Sequence, residues 1–253
     1  MNIRALDKKL IKQSTVRLVK CGLVYEKYEY ATPYFYNFGS TRSNDSVPEE
    51  DTPGAKRRDN IERARRKIKR LINSNAFVYG YKPIFVTYTF RDNVTNMREA
   101  NATLKAHHDN LRKTIVGRCV RAVVVPELQK RGAIHYHAVY FDLPYITEIK
   151  KVFEKSWGAG FVQVKAVEHV INIGAYVSKY FSKQWHTHRT AGSKTYYSSL
   201  NLYQPETYHG EEALDIIDGC DTLLVEHKEE FFSEKFGTIK YTQFKQANIS
   251  TNL

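Results

Sequence analysis

An α+β fold, a central antiparallel β-sheet flanked by helices, is what this chain predicts. Three observations predict it: short runs alternate apolar and polar residues, longer runs repeat apolar residues at helical spacing, and the middle of the chain runs strand, helix, hairpin, helix, strand, helix. At 253 residues the chain is long enough to bury a sizeable core without disulfides.

Residues 14 to 38 alternate (Thr15-Val-Arg-Leu-Val-Lys-Cys-Gly-Leu-Val-Tyr25) and read as a hairpin or pair of strands. Ser40 to Gly54 is polar, punctuated by Pro and Gly and locally acidic, the composition of a mobile linker. The sign then reverses. Lys56 to Arg70 is dense in Lys and Arg, including Arg63, Arg66, Lys67 and Arg70, while Ile61, Ala64, Ile68, Leu71 and Ile72 recur at helical spacing. This is a basic amphipathic helix. Its density of like charge suits tracking a phosphate backbone, with a solvated surface helix as the alternative.

Pro83 to Phe90 is a strand by its β-branched and aromatic content, and Asn93 to Val116 a helix. Val123 to Phe141 is a β-hairpin, Ile146 to Ser156 a short helix, Gly160 to Val167 a strand and Glu168 to Lys183 a further helix. Beyond Trp185 regularity fades, ending in an acidic segment from Glu211 to Glu230. The expected organisation is therefore N-terminal strands and linker over 1–55, a core with its leading basic helix over 56–187, and a partly irregular C-terminal extension over 188–253.

A formal charge of +12 and a pI near 9.4 draw the molecule to polyanions. Eighteen tyrosines among the basic residues suit single strands, whose unstacked bases need planar partners, although tyrosines also simply pack cores. Cys21, Cys119 and Cys220 are odd in number and show no Cys-x-x-Cys spacing, which fits a reducing compartment. No apolar signal region or run of 18 apolar residues occurs, so a soluble, cytoplasmic protein without membrane partners is expected.

Two motifs carry chemistry. On the hairpin, His135 and His137 are two apart and so project to one face of a strand. If Lys130-Arg131-Gly132 forms the turn, Glu127 lies opposite His135. Two imidazoles and a carboxylate suit a metal ion that acts on an oxygen-rich substrate, and Lys130 and Arg131 at the turn suit phosphates. On the last helix, Tyr176 and Tyr180 form one stripe and Lys179 and Lys183 an adjacent one. A phenol attacks a phosphate when cations or a metal-bound phosphate help it; the same spacing also describes an ordinary amphipathic helix. His186 and His188 form a rival pair without a strand to aim them. His107 and His108 diverge by about 100° on a helix and read as surface residues. His169 reads as a capping or packing residue.

Together the segments Phe85-Val-Thr-Tyr-Thr-Phe90, Glu127 with His135-Tyr136-His137, and Tyr176-Val-Ser-Lys-Tyr180-Phe-Ser-Lys183 resemble the three motifs, in order, of the HUH endonucleases. The paired tyrosines are similar to the two-tyrosine rolling-circle replication initiators represented by microvirus A proteins and filamentous-phage gene II proteins. The resemblance covers roughly residues 56 to 205. It implies an HUH-type core in which Glu127, His135 and His137 hold Mg²⁺ or Mn²⁺. Tyr176 and Tyr180 would be the nucleophiles, assisted by Lys179 and Lys183. It further implies a 5′-phosphotyrosine intermediate, single-stranded DNA at a replication origin (a hairpin included) as substrate, and host helicase and polymerase as partners in a bacterial cytoplasm. No phosphate loop is present, since Gly192-Ser-Lys-Thr195 lacks the earlier glycine, so unwinding falls to a separate helicase.

Three alternatives stand beside this reading. One is a transposase or plasmid-mobilisation relaxase using the same chemistry. Another is a non-catalytic DNA-binding protein on the same fold. The third is a protein with a structural metal, which would ordinarily close its site with four Cys or His ligands.

Overall fold

A computed structural model describes residues 12–36, 53–114, 120–143, 148–166, 172–178 and 196–247, with the backbone alone at 53–61 and 166. It is an α+β structure in two units, residues 57–205 and residues 1–56 with 206–253. The expected linker from Ser40 falls largely outside the described residues. So do Cys119, His169, Lys179, Tyr180, Lys183, His186 and His188.

The strands are β1 (Lys12–Cys21), β2 (Val24–Tyr36), β3 (Ile84–Phe90), β4 (Ala122–Leu128), β5 (Ile134–Tyr140), β6 (Gly160–Ala166), β7 (Tyr197–Ser198), β8 (Glu206–His209), β9 (Leu223–Ser233) and β10 (Gly237–Gln246). The described helices are α1 (Pro53–Asn75), α2 (Met97–Thr114), α3 (Ile149–Trp157), α4 (Ile173–Ser178) and α5 (Glu211–Asp218).

In the unit 57–205 the five strands run in the order β6-β3-β5-β4-β7, and every pairing is antiparallel. Alternation along β3, β4 and β5 divides their side chains between two cores. Val86, Tyr88, Val124, Tyr136 and Tyr140 join Leu104 and Leu111 of α2 and Phe153 and Trp157 of α3. Phe85, Val123, Val125 and Val139 join Ile68, Leu71 and Ile72 of α1 and Ile173 and Val177 of α4 on the opposite face. β5 is covered on both sides, and all seven of its residues are buried.

His107, expected at the surface, is a correction. It is buried on the inner face of α2. Its Nε2 lies 2.8 Å from the Tyr88 hydroxyl, and its Nδ1 lies 2.8 Å from Ser156 Oγ. His108 is half-buried, with its Nε2 3.0 Å from the Tyr140 hydroxyl, itself 2.8 Å from that of Tyr88. Two buried phenols need polar partners, and the histidines supply them.

In the other unit the order is β8-β1-β2-β10-β9, and α5 packs on Leu18, Tyr25 and Phe244. Tyr28, Tyr30 and Tyr34 neighbour one another on the other face, with Arg17 4.5 Å over the Tyr28 ring. The acidic tail thus supplies a helix and two long strands to a sheet begun near the N-terminus. It reads as irregular in sequence because β9 is an edge strand exposed along almost its whole length, so no buried face imposes alternation on it. Among the described residues no helix is long and apolar enough to cross a membrane.

Candidate functional site

The hairpin turn falls at Lys130 to Gly132, where Gly132 takes a φ of +81°, a left-handed conformation that glycine adopts at little cost. That turn sets the register, with Glu127 opposite His135 and Val125 opposite His137. β3 extends the rows, with Thr89 opposite His135 and Thr87 opposite His137. β6 extends them once more, with Phe161 opposite Thr89 and Gln163 opposite Thr87. One row across four strands therefore reads Glu127, His135, Thr89, Phe161, and it lies on the sheet face that α1 and α4 partly cover.

Both histidines are buried and Glu127 is partly exposed. His137 Nε2 lies 2.7 Å from Glu127 Oε2 and its Nδ1 lies 3.1 Å from Thr87 Oγ1, so both ring nitrogens are engaged. His135 differs. Its Nε2 is buried and has no hydrogen-bond partner among the described residues. Burial first, then the neighbouring His137 and Arg131, hold the His135 ring below its ordinary pKa, with Glu127 acting in the opposite sense. A neutral imidazole with an unused buried nitrogen has the protonation state a metal ligand requires.

The chemistry of this donor set fits a divalent ion, and the orphaned His135 nitrogen is the observation that favours one. As they stand, the side chains do not converge: among the described residues no three His, Cys, Asp or Glu form a metal-holding group. The Glu127 carboxylate is engaged with His137. Binding an ion would exchange that contact for coordination.

Tyr176 stands on α4 above the same face. Its ring meets Phe85 edge-on at 5.8 Å, and Phe85 lies parallel to the His137 ring, also at 5.8 Å. Phe85 thus spaces the phenol from the imidazole. α4 is seated by α1: Asn73 Nδ2 donates to Asn172 Oδ1 at 2.9 Å, and the Gly174 N–H donates to Asn73 Oδ1 at 2.8 Å. Asn172 Oδ1 also accepts the Ala175 N–H at 3.1 Å, capping the helix. At Gly174 a Cβ would sit closer than 3.0 Å to the Lys69 carbonyl, so glycine permits the approach of the two helices. Arg65 reaches the other end of α4, donating to the Ser178 carbonyl at 3.5 Å.

Of the expected DNA-contacting residues, Arg63, Arg66 and Lys67 are exposed on α1, Arg70 is half-buried, and Lys130 and Arg131 are exposed at the turn. Sequence reasoning misses Asn73, Asn172 and Gly174, which seat α4, and within the Phe85–Phe90 segment it does not single out Thr87 as the partner of His137. Asn172 before an apolar stretch is an N-cap signal that points to α4. Nothing local to Asn73 announces its partner 99 residues away.

A family model described as replication-associated protein ORF2/gene II protein matches residues 83–185, about two fifths of the chain. The matched stretch begins just before β3 and contains the hairpin and α4, so over these residues the chain is similar to replication-associated proteins. No curated protein and no solved structure matches the chain.

Proposed function

We propose that the chain is a rolling-circle replication initiator that nicks and rejoins single-stranded DNA at an origin through a tyrosine-bound intermediate. The observation that carries this reading is the sharing of one sheet face by Glu127, His135, His137 and the helix bearing Tyr176. A Mg²⁺ or Mn²⁺ ion held by Glu127, His135 and His137 would polarise the scissile phosphate.

Tyr176 attacks the phosphorus through its hydroxyl oxygen. A P–O(Tyr) bond forms as the P–O3′ bond breaks; the phenol gives up its proton and the departing 3′ oxygen takes one up. The 5′ phosphate remains on tyrosine, retaining the bond energy for rejoining. Tyr180 makes the second attack that releases the product, and Lys179 and Lys183 neutralise phosphate charge. Arg63, Arg66, Lys67 and Arg70 on α1, with Lys130 and Arg131 at the turn, engage the phosphate backbone. Host helicase and polymerase supply unwinding and synthesis in a bacterial cytoplasm.

The test is incubation with labelled single strands from the chain's own replicon, with Mn²⁺ or EDTA, resolved on a denaturing gel. A metal-dependent covalent adduct is expected, absent in Tyr176→Phe/Tyr180→Phe and in His135→Ala. Binding without an adduct across the whole origin region overturns the proposal in favour of a non-catalytic DNA-binding protein.

A further inference from the structure

Among the described residues, α1 and α4 cover Phe85, Val123, Val125 and Val139 on the sheet face that carries the histidines, whereas along β6 Phe161, Gln163 and Lys165 are all exposed. Phe161 is 69% exposed, and it belongs to neither core cluster of its unit. Burial therefore gives no reason for an aromatic side chain at this position.

Its placement does give one. Phe161 opposes Thr89, which opposes His135, so the ring stands two strand spacings, about 10 Å, from the imidazole on the same face. The strand is anchored for this presentation. The Arg91 N–H donates to the Ala159 carbonyl at 2.9 Å, and Trp157 Nε1 donates to the Thr89 carbonyl at 3.3 Å. A Cβ at Gly160 would fall closer than 3.0 Å to Thr89, Phe90 and Arg91 backbone atoms, so glycine lets β6 close on the end of β3 immediately before Phe161. Gln163 opposes Thr87 and Lys165 opposes Phe85 in the next rows.

We propose that Phe161 is a stacking platform for an unpaired base beside the scissile phosphate, and that Gln163 and Lys165 continue this nucleotide subsite along β6. The proposal rests on the single-stranded DNA reading and names where a flanking nucleotide binds. Charge selects the occupant. Residues 57–205 hold 26 Lys and Arg against 10 Asp and Glu, a net +16, whereas the rest of the chain holds 13 against 17, a net −4. A polyanion is drawn to the unit that carries Phe161. An exposed aromatic ring binds bases without regard to sequence, because every base offers a π-face. Gln163 adds an amide donor and acceptor for a base edge, and Lys165 a cation for the backbone.

The experiment uses the full chain with fluorescein-labelled oligo(dT), and in parallel a matched oligomer of abasic deoxyribose phosphates. Phe161→Ala is expected to weaken oligo(dT) binding about 5- to 100-fold while leaving the abasic oligomer unaffected. Phe161→Trp is expected to restore oligo(dT) binding, with the added indole emission quenched on binding. Thermal unfolding of all three proteins should coincide. Equal oligo(dT) affinity of wild type and Phe161→Ala overturns the proposal, as does an equal loss on both oligomers. If Phe161→Ala instead abolishes self-association in sedimentation while DNA affinity is unchanged, β6 is an edge for a second copy of this chain. A wild type that shows the stacking pattern but forms no adduct on replicon DNA sinks the nuclease reading and leaves this one standing.

Discussion

Glu127 and His137 meet at 2.7 Å across β4 and β5, while His135, directly opposite Glu127 in the register, keeps a buried Nε2 with no hydrogen-bond partner among the described residues. The carboxylate therefore serves the diagonal histidine and leaves the facing one free to take up a ligand. Removing either histidine should have different consequences. His137→Ala strips a partner from both Glu127 and Thr87 and should cost about 1–3 kcal/mol of stability, read from urea denaturation. His135→Ala, which breaks no hydrogen bond at Nε2, should cost less through that atom. Both should abolish Mn²⁺-dependent adduct formation. Retention of metal dependence in His135→Ala would remove that ring from the ligand set.

The seating of α4 on α1 makes a second expectation. Asn73 holds both the Gly174 N–H and the Asn172 side chain, and it is buried. Asn73→Ala leaves a buried N–H and an amide oxygen short of partners, at about 1–3 kcal/mol. Gly174→Ala drives a methyl into the Lys69 carbonyl, an overpacking of about 1–3 kcal/mol or more. Both shift the helix that bears Tyr176, so the single-turnover rate of adduct formation should fall further than DNA affinity does. A parallel loss of rate and affinity would show that α4 is not what these residues position.

Much of this site is legible in the sequence because local rules dictate it. The period of two in β5 puts His135 and His137 on one face, and a tight turn with Gly132 fixes Glu127 opposite His135; both follow from a few consecutive residues. The Asn73 to Asn172 pairing is not legible, since only the packed fold brings those residues together. His107 is legible in principle. It sits with Ala100, Leu104 and Leu111 on the stripe that α2 buries, spaced three and four apart, but reading it as a pair with the adjacent His108 hides that stripe. The acidic tail hides β9 for the converse reason, because an exposed edge strand carries no apolar alternation.

That buried histidine should make stability acid-sensitive. Burial, aided by the neighbouring His108, brings the His107 pKa down to about 3, and burial with Arg112 brings His108 down to about 4, against 6.5 for a free ring. Below pH 6.5 the unfolded chain binds protons that the folded chain excludes, so stability present above 6.5 is lost as the pH falls toward 4 and then 3. Each histidine contributes a slope of up to about 1.4 kcal/mol per pH unit in that window. Urea midpoints measured from pH 7 to pH 4 should decline accordingly, and His107→Gln should flatten the decline. An unchanged slope in that variant would place the acid sensitivity elsewhere.

The basic helix offers a test in salt. Arg63, Arg66 and Lys67 are exposed and Arg70 half-exposed on α1, whereas Arg65 is turned toward Ser178 of α4. If the first four neutralise phosphates of a single strand, each contributes about 0.7 to the slope of log affinity against log salt. Replacing all four with Gln should then reduce that slope by up to about 3, weakening binding alike for every sequence, because phosphates carry no sequence information. Arg65→Gln should leave the salt slope nearly unchanged and slow adduct formation instead, since its guanidinium is already shared between Glu62, at 3.2 Å, and the Ser178 carbonyl at the end of the tyrosine helix. An Arg65→Gln protein with a lowered slope and a normal rate would reassign that arginine to the DNA.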